Sequence, residues 1–121
     1  MVFDDEIQAS RSLAFLKDAR RRGEPIFVPD VVLCEVVGTL KKVYRMNRLE
    51  ILTSLEVIQN IFEFNFESSD RLKAAVTQFS QGKADFSDYL IRQRCFDAGC
   101  NRIATFDKAL LNEEGFVEVA G

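Results

Sequence analysis

No histidine occurs among the 121 residues of this chain. Ser-His-Asp and Cys-His catalysis are thereby excluded, and so are the usual zinc sites. Cysteine is scarce and odd in number: Cys34, Cys95 and Cys100, with no C-x-x-C pair. That argues against a disulfide framework or a zinc knuckle, and all three are expected to serve as small apolar core residues. No apolar run approaches the length that crosses a membrane. The start, Met1-Val2-Phe3 followed by Asp4, Asp5 and Glu6, is unlike a secretory leader, so the expected compartment is the cytoplasm. An excess of positive charge is also lacking. With a formal net charge of -3, bulk charge does not advertise a nucleic-acid ligand.

What the chain does have is a globular balance, 47% hydrophobic and 29% charged residues, over a length suited to one domain spanning 1–121. There is no internal repeat, linker or low-complexity stretch. Asp4 to Arg22 reads as a helix, capped by Asp4 or Asp5, with Phe15, Leu16 and Ala19 on its apolar face and Gly23 at its end. The two prolines, Pro25 and Pro29, flank the short apolar strand Ile26-Phe27-Val28 and so cost it no ladder donor. Asp30 is expected to cap a helix to about Arg45, whose stripe is Leu33, Val36, Val37, Leu40 and Tyr44. Asn47-Arg48-Leu49-Glu50 is a capping-box pattern opening a helix to about Asn60. Ile61 to Phe66 alternates strictly and predicts a strand with Phe62, Phe64 and Phe66 on one buried face. Ser68 or Ser69 caps the next helix, with Leu72, Ala75, Val76 and Phe79 inward and Gly82 at its end. A helix from Phe86 to Ala98, a strand from Arg102 to Phe106, a helical turn over Lys108 to Leu111 and a strand from Phe116 to Ala120 complete the chain. Helices intercalated between short strands predict an α/β fold with a mostly parallel sheet.

In such a fold, sites form beyond the C-terminal ends of the strands. Asp107 stands at one of those ends. Asp85 and Asp88 begin the helix from Phe86, and Glu35 lies early on the helix that follows the Ile26 strand. Acidic residues at the ends of regular elements are the leading candidates for chemistry here, as ligands of a divalent ion. Each also has a plain structural reading. Asp-x-x-Asp before an apolar run is an ordinary helix start, and Glu35 near a helix N-terminus answers the dipole. Glu35 is the less ordinary of these, because valines, Leu33 and Cys34 crowd it in sequence, and a carboxylate among apolar groups needs a partner, a proton or a metal. Arg20-Arg21-Arg22, Lys41-Lys42 and the pair Arg92 and Arg94 are local basic clusters, more often solvated helix faces than binding patches.

Three segments taken together resemble a family. Pro29-Asp30-Val31-Val32-Leu33-Cys34-Glu35, then Asp85-Phe86-Ser87-Asp88-Tyr89-Leu90-Ile91, then Thr105-Phe106-Asp107 are similar, in order and spacing, to the PIN domain, in particular to the VapC-type toxins of toxin–antitoxin pairs. The likeness covers almost the whole chain. It implies a three-layer α/β/α sandwich and a ribonuclease dependent on Mg²⁺ or Mn²⁺, cytoplasmic, homodimeric and neutralised by a cognate antitoxin. It carries the acidic cluster onto Glu35, Asp88 and Asp107, with Asp85 as a further member, and Thr105 onto the family's hydroxyl residue. Clustered carboxylates suit magnesium, a hard ion that keeps several waters.

This chain departs from the family at its start. The family's first strand ends in Asp-Thr-Asn, whose aspartate is a principal metal ligand. Here Asp4 to Ser10 aligns with the segment after that strand, and Val2-Phe3-Asp4 is followed by no Thr-Asn. The resemblance therefore leads us to expect that the N-terminal strand and its aspartate are missing, that two inner strand edges need another partner, and that ribonuclease activity is impaired. The alternative is a non-catalytic PIN-like remnant acting as an antitoxin-binding or dimerisation module. A third reading is an α/β domain whose acids are all caps and solvated faces.

Overall fold

Local chemistry places most of the elements in a computed structural model of the chain, in which Ala14 and residues 17–119 are described. Helix α1 is described over 17–22 and stops at Gly23, whose φ of 66° is a conformation that favours glycine. The expected caps Asp4 and Asp5, the inward Phe15 and Leu16, and the expected loss of a first strand all concern residues outside the described range. Strand β1 (Ile26–Val28) follows. Helix α2 (Asp30–Lys42) ends before the expected Arg45, which takes a left-handed φ of 54° that no helix continues. Helix α3 (Arg48–Gln59) opens with the full Asn47–Glu50 capping box. After it come β2 (Phe64–Phe66), α4 (Ser69–Gln81), α5 (Phe86–Asp97), β3 (Ile103–Thr105), a 3-10 turn (Lys108–Asn112) and β4 (Phe116–Glu118). Ser68 caps α4 by accepting from the Arg71 N–H.

Both strand pairings are parallel, as expected of an α/β fold. Strand β1 pairs with β2 with Ile26 opposite Phe64, and β3 pairs with β4 with Ile103 opposite Phe116. Among the described residues there are two sheets of two strands each, with no ladder joining them. The core lies among the helices and β1. Leu33, Leu55, Leu72, Phe79, Phe86, Tyr89 and Leu90 are all buried there, and the Phe79 and Phe86 rings meet edge to face, 6.3 Å apart.

Three corrections concern side chains. Phe62 is not inward but 95% exposed, in the turn before β2. The alternation misleads because Glu63 turns in instead, buried and ion-paired with Arg20 of α1. That hydrogen bond is the main reason the Glu63 carboxyl sits below the usual range. Of the cysteines, Cys34 packs against the core, but Cys100 is exposed. Burial and the neighbouring Cys100 push the Cys95 thiol up.

Asp30 is not a cap either. Pro29 holds that position, and Asp30 is buried in the first turn of α2. Its Oδ2 accepts from Arg71 Nη1 at 2.6 Å and Arg94 Nη1 at 3.1 Å. Glu67 and Asp97 complete the network on the two arginines. These bonds tie α2 to α4 and α5, and so fix the base from which α5 presents its N-terminus. Because Arg94 remains in place, Arg71→Met is expected to cost about 2 kcal/mol, the worth of a charge-assisted bond to a buried carboxylate. Urea unfolding reads that loss, and an unchanged midpoint would show Arg94 to be sufficient.

Candidate active site

The start of α5 sets the geometry. Asp85 occupies the N-cap position, yet its side chain makes no cap bond. It turns outward to Lys41 of α2, whose Nζ lies 3.1 Å from Oδ1 and 3.3 Å from Oδ2. Asp88, one turn on, takes up half of a capping box, with the Asp85 backbone N–H donating to its carboxylate. The plain helix start expected from Asp-x-x-Asp is thus only half realised, the Asp85 carboxylate pairing with Lys41 instead of capping the helix.

Asp107 arrives from β3. Its backbone N–H donates to Thr105 Oγ1 at 3.0 Å, and its Oδ1 accepts from the Ala109 N–H at 2.9 Å. Thr105 thus orients the backbone of Asp107, and Asp107 caps the 3-10 turn with one oxygen. Holding the two halves of the site together is Tyr89. Its buried hydroxyl donates to Glu113 Oε1 at 2.9 Å and accepts from the Ala84 N–H at 3.2 Å. Arg92 adds a bond to the Glu114 carbonyl at 3.0 Å. These clamps join α5 to the turn between the 3-10 helix and β4. From sequence, Arg92 was read only as part of a basic cluster and Tyr89 only as part of the Asp85–Ile91 segment, since a tyrosine and an arginine on a helix carry no signal of what they reach.

The charges of this region converge on Asp88. Burial pushes its pKa up, the negative charges of Asp85 and Asp107 push it further, and the Asp85 N–H and Lys41 oppose them. The sign for stability follows. A carboxyl whose folded pKa is raised is favoured in its protonated form, so its contribution is full below the ordinary value of 3.8 and is lost as pH rises through the folded value. Asp88→Asn is therefore expected to raise the melting temperature at pH 7 but not at pH 3. The gain is modest because the site is partly open to water. Melting curves at the two pH values check it, and a lower melting temperature for the variant at pH 7 would contradict it.

Glu35 is placed differently from the sequence expectation. It is exposed on α2, as are Val31 and Val32, so the crowding in sequence is not crowding in space. Among the described residues no group of three His, Cys, Asp or Glu side chains is gathered to hold one metal ion. A three-carboxylate cage is therefore not present there. Asp88 and Asp107 remain as two hard oxygen donors, the charge of Asp107 acting on Asp88. Two carboxylates fit magnesium, which is commonly held by one or two of them together with substrate phosphate and waters.

Comparison with known proteins gives an independent view of the chain. A family model described as the PIN domain matches residues 1–113. A VapC ribonuclease from Aquifex aeolicus (strain VF5) is 28% identical over 94 residues, covering 78% of this chain and 70% of that protein. No solved structure matches.

Proposed function

The chain belongs to the PIN domain family, and from that premise we propose that it is a ribonuclease of the VapC type, the toxin of a toxin–antitoxin pair, dependent on Mg²⁺ or Mn²⁺. The observation that carries this reading is the match of residues 1–113 to the PIN domain together with the likeness to a VapC ribonuclease, and the charges of Asp85 and Asp107 acting on Asp88 agree with it. Asp88 and Asp107 would hold the ion, with Asp85 beside them. Glu35 stays in the proposed set on the likeness of the Pro29–Glu35 segment to the family's motif. When bound, a divalent ion neutralises charge on a phosphate and lowers the pKa of a water. The protein's own part is positional. Thr105 orients Asp107, Tyr89 and Arg92 dock the Asp107-bearing unit on α5, and Lys41 balances Asp85.

Two carboxylates bind an ion weakly, so millimolar metal is the expected working range. Calorimetric titration with Mn²⁺ tests this: heat from the wild-type chain, none from Asp88→Asn. Equal heats from both would remove the site.

The same reading places partners. A cognate antitoxin, or a second copy of the chain, would cover exposed apolar surface. Phe27, Val31 and Ile91 are 59%, 62% and 51% exposed, and Val31 and Ile91 line one cavity with Cys34 and Leu90. That surface is also the observation that favours the second reading, a non-catalytic module that binds an antitoxin or dimerises. Metal-dependent cleavage separates the two.

A further inference from the structure

Beside Asp85 lies a cavity of about 430 Å³, lined among others by Gly38, Lys41, Lys42, Arg48 and Phe79. Its size falls within the range of small-ligand sites. Two features make it more than a gap. The first is Gly38, which sits in the interior of α2, where glycine costs about 1 kcal/mol against alanine. A Cβ built there would meet nothing within 4 Å, so the absent side chain leaves that space open. The second is Arg48. Its guanidinium donates to the Phe79, Gly82 and Lys83 carbonyls and lies over the Phe79 ring, 4.0 Å from the centroid. The plane is locked at its edges and covered on one face, and Arg48 still lines the cavity. A fixed guanidinium plane is a surface on which a nucleobase stacks.

Charge points the same way. In a chain of net charge -3, this cavity gathers three cations against the single carboxylate of Asp85. Lys41 is held by Asp85, whereas Lys42 is exposed at the rim. Asp85 is also the residue that connects the cavity to Asp88. Resting on the ribonuclease reading above, we propose that this cavity is a nucleotide subsite for single-stranded RNA, next to the scissile phosphate. Lys42 faces the strand's phosphates, and the Arg48 plane stacks a base over the opening at Gly38. The subsite reads any base by its π-face and so selects single strands rather than sequence.

The variant Gly38→Leu tests it with little risk to the fold, because leucine is a better helix former and enters open space. Fluorescence anisotropy with a labelled mixed-sequence RNA decamer in EDTA is the readout, since no cleavage intervenes. Gly38→Leu is expected to weaken binding about tenfold or more, the scale of one stacked base, with a melting temperature at or above wild type. Gly38→Ala is expected to stay within about threefold of wild type. Lys42→Ala is expected to flatten the salt dependence by about 0.7 in slope, one phosphate contact. Equal affinity for wild type and Gly38→Leu overturns the subsite, even if wild type cleaves RNA and the ribonuclease reading stands. A folded wild-type chain that neither binds nor cleaves RNA overturns both. Loss of a protein partner by Gly38→Leu with RNA affinity unchanged assigns the cavity to that partner and overturns the subsite.

Discussion

Replacing Gly82 with alanine is expected to destabilise the fold by about 3 kcal/mol, at the upper end for overpacking a core. Backbone strain is not the cause, since φ is -103° at Gly82, which alanine adopts freely. The cause is Tyr89. A Cβ on residue 82 would lie 1.7 Å from its hydroxyl oxygen and 2.7 Å from Cζ. Tyr89 cannot step aside, because it is 1% exposed and its hydroxyl bridges Ala84 and Glu113. The damage therefore falls on the clamp between α5 and the unit that carries Asp107. Gly38→Ala is the contrasting case, expected to stabilise by about 0.5–1 kcal/mol because nothing is near. Urea unfolding of both variants reads the difference. A Gly82→Ala chain within about 0.5 kcal/mol of wild type would show that Tyr89 is not fixed as described.

The second large effect is on catalysis. Asp88→Asn and Asp107→Asn are each expected to lower RNA cleavage by at least about 100-fold, the upper cost of disturbing a metal site's immediate support and a lower bound for a ligand itself. The substitutions keep shape and remove charge. Asp107→Asn retains an oxygen to accept from the Ala109 N–H, since asparagine caps as well as aspartate. Asp88→Asn is expected to be the more stable protein at neutral pH. Loss of cleavage with a fold intact or strengthened would thus belong to the chemistry. Residual cleavage above about a tenth of wild type in both variants would argue that other groups carry the reaction.

Much of the fold is legible in local sequence because local physics decides it. Asn47 and Glu50 are three residues apart, and their reciprocal bonds need nothing from elsewhere. The same holds for Ser68 on Arg71 and for Gly23. The misreadings arise where a distant partner wins. Asp30 is drawn into the core by Arg71 and Arg94, 41 and 64 residues away. Glu63 turns inward to an arginine 43 residues back, which puts Phe62 in water. The site shows both cases. Asp85, Asp88 and Asp107 were readable as element ends and Thr105 only through the family likeness, and their relation emerges only when Tyr89 and Arg92 of α5 hold the turn at Glu113 and Glu114. Arg48 read as part of a helix start, and nothing in its neighbours signals that three carbonyls of the α4–α5 junction would hold it.

Asp88 and Asp107 are proposed to serve a metal-dependent ribonuclease. The most direct test of that role is a time course of cleavage of a labelled single-stranded RNA by the 121-residue chain, with Mn²⁺ and with EDTA, beside the Asp88→Asn and Asp107→Asn variants. The expected result is slow cleavage that needs Mn²⁺, stops in EDTA and is lost in both variants while their unfolding curves remain cooperative. Cleavage that persists in EDTA, or that proceeds equally in both variants, would contradict it.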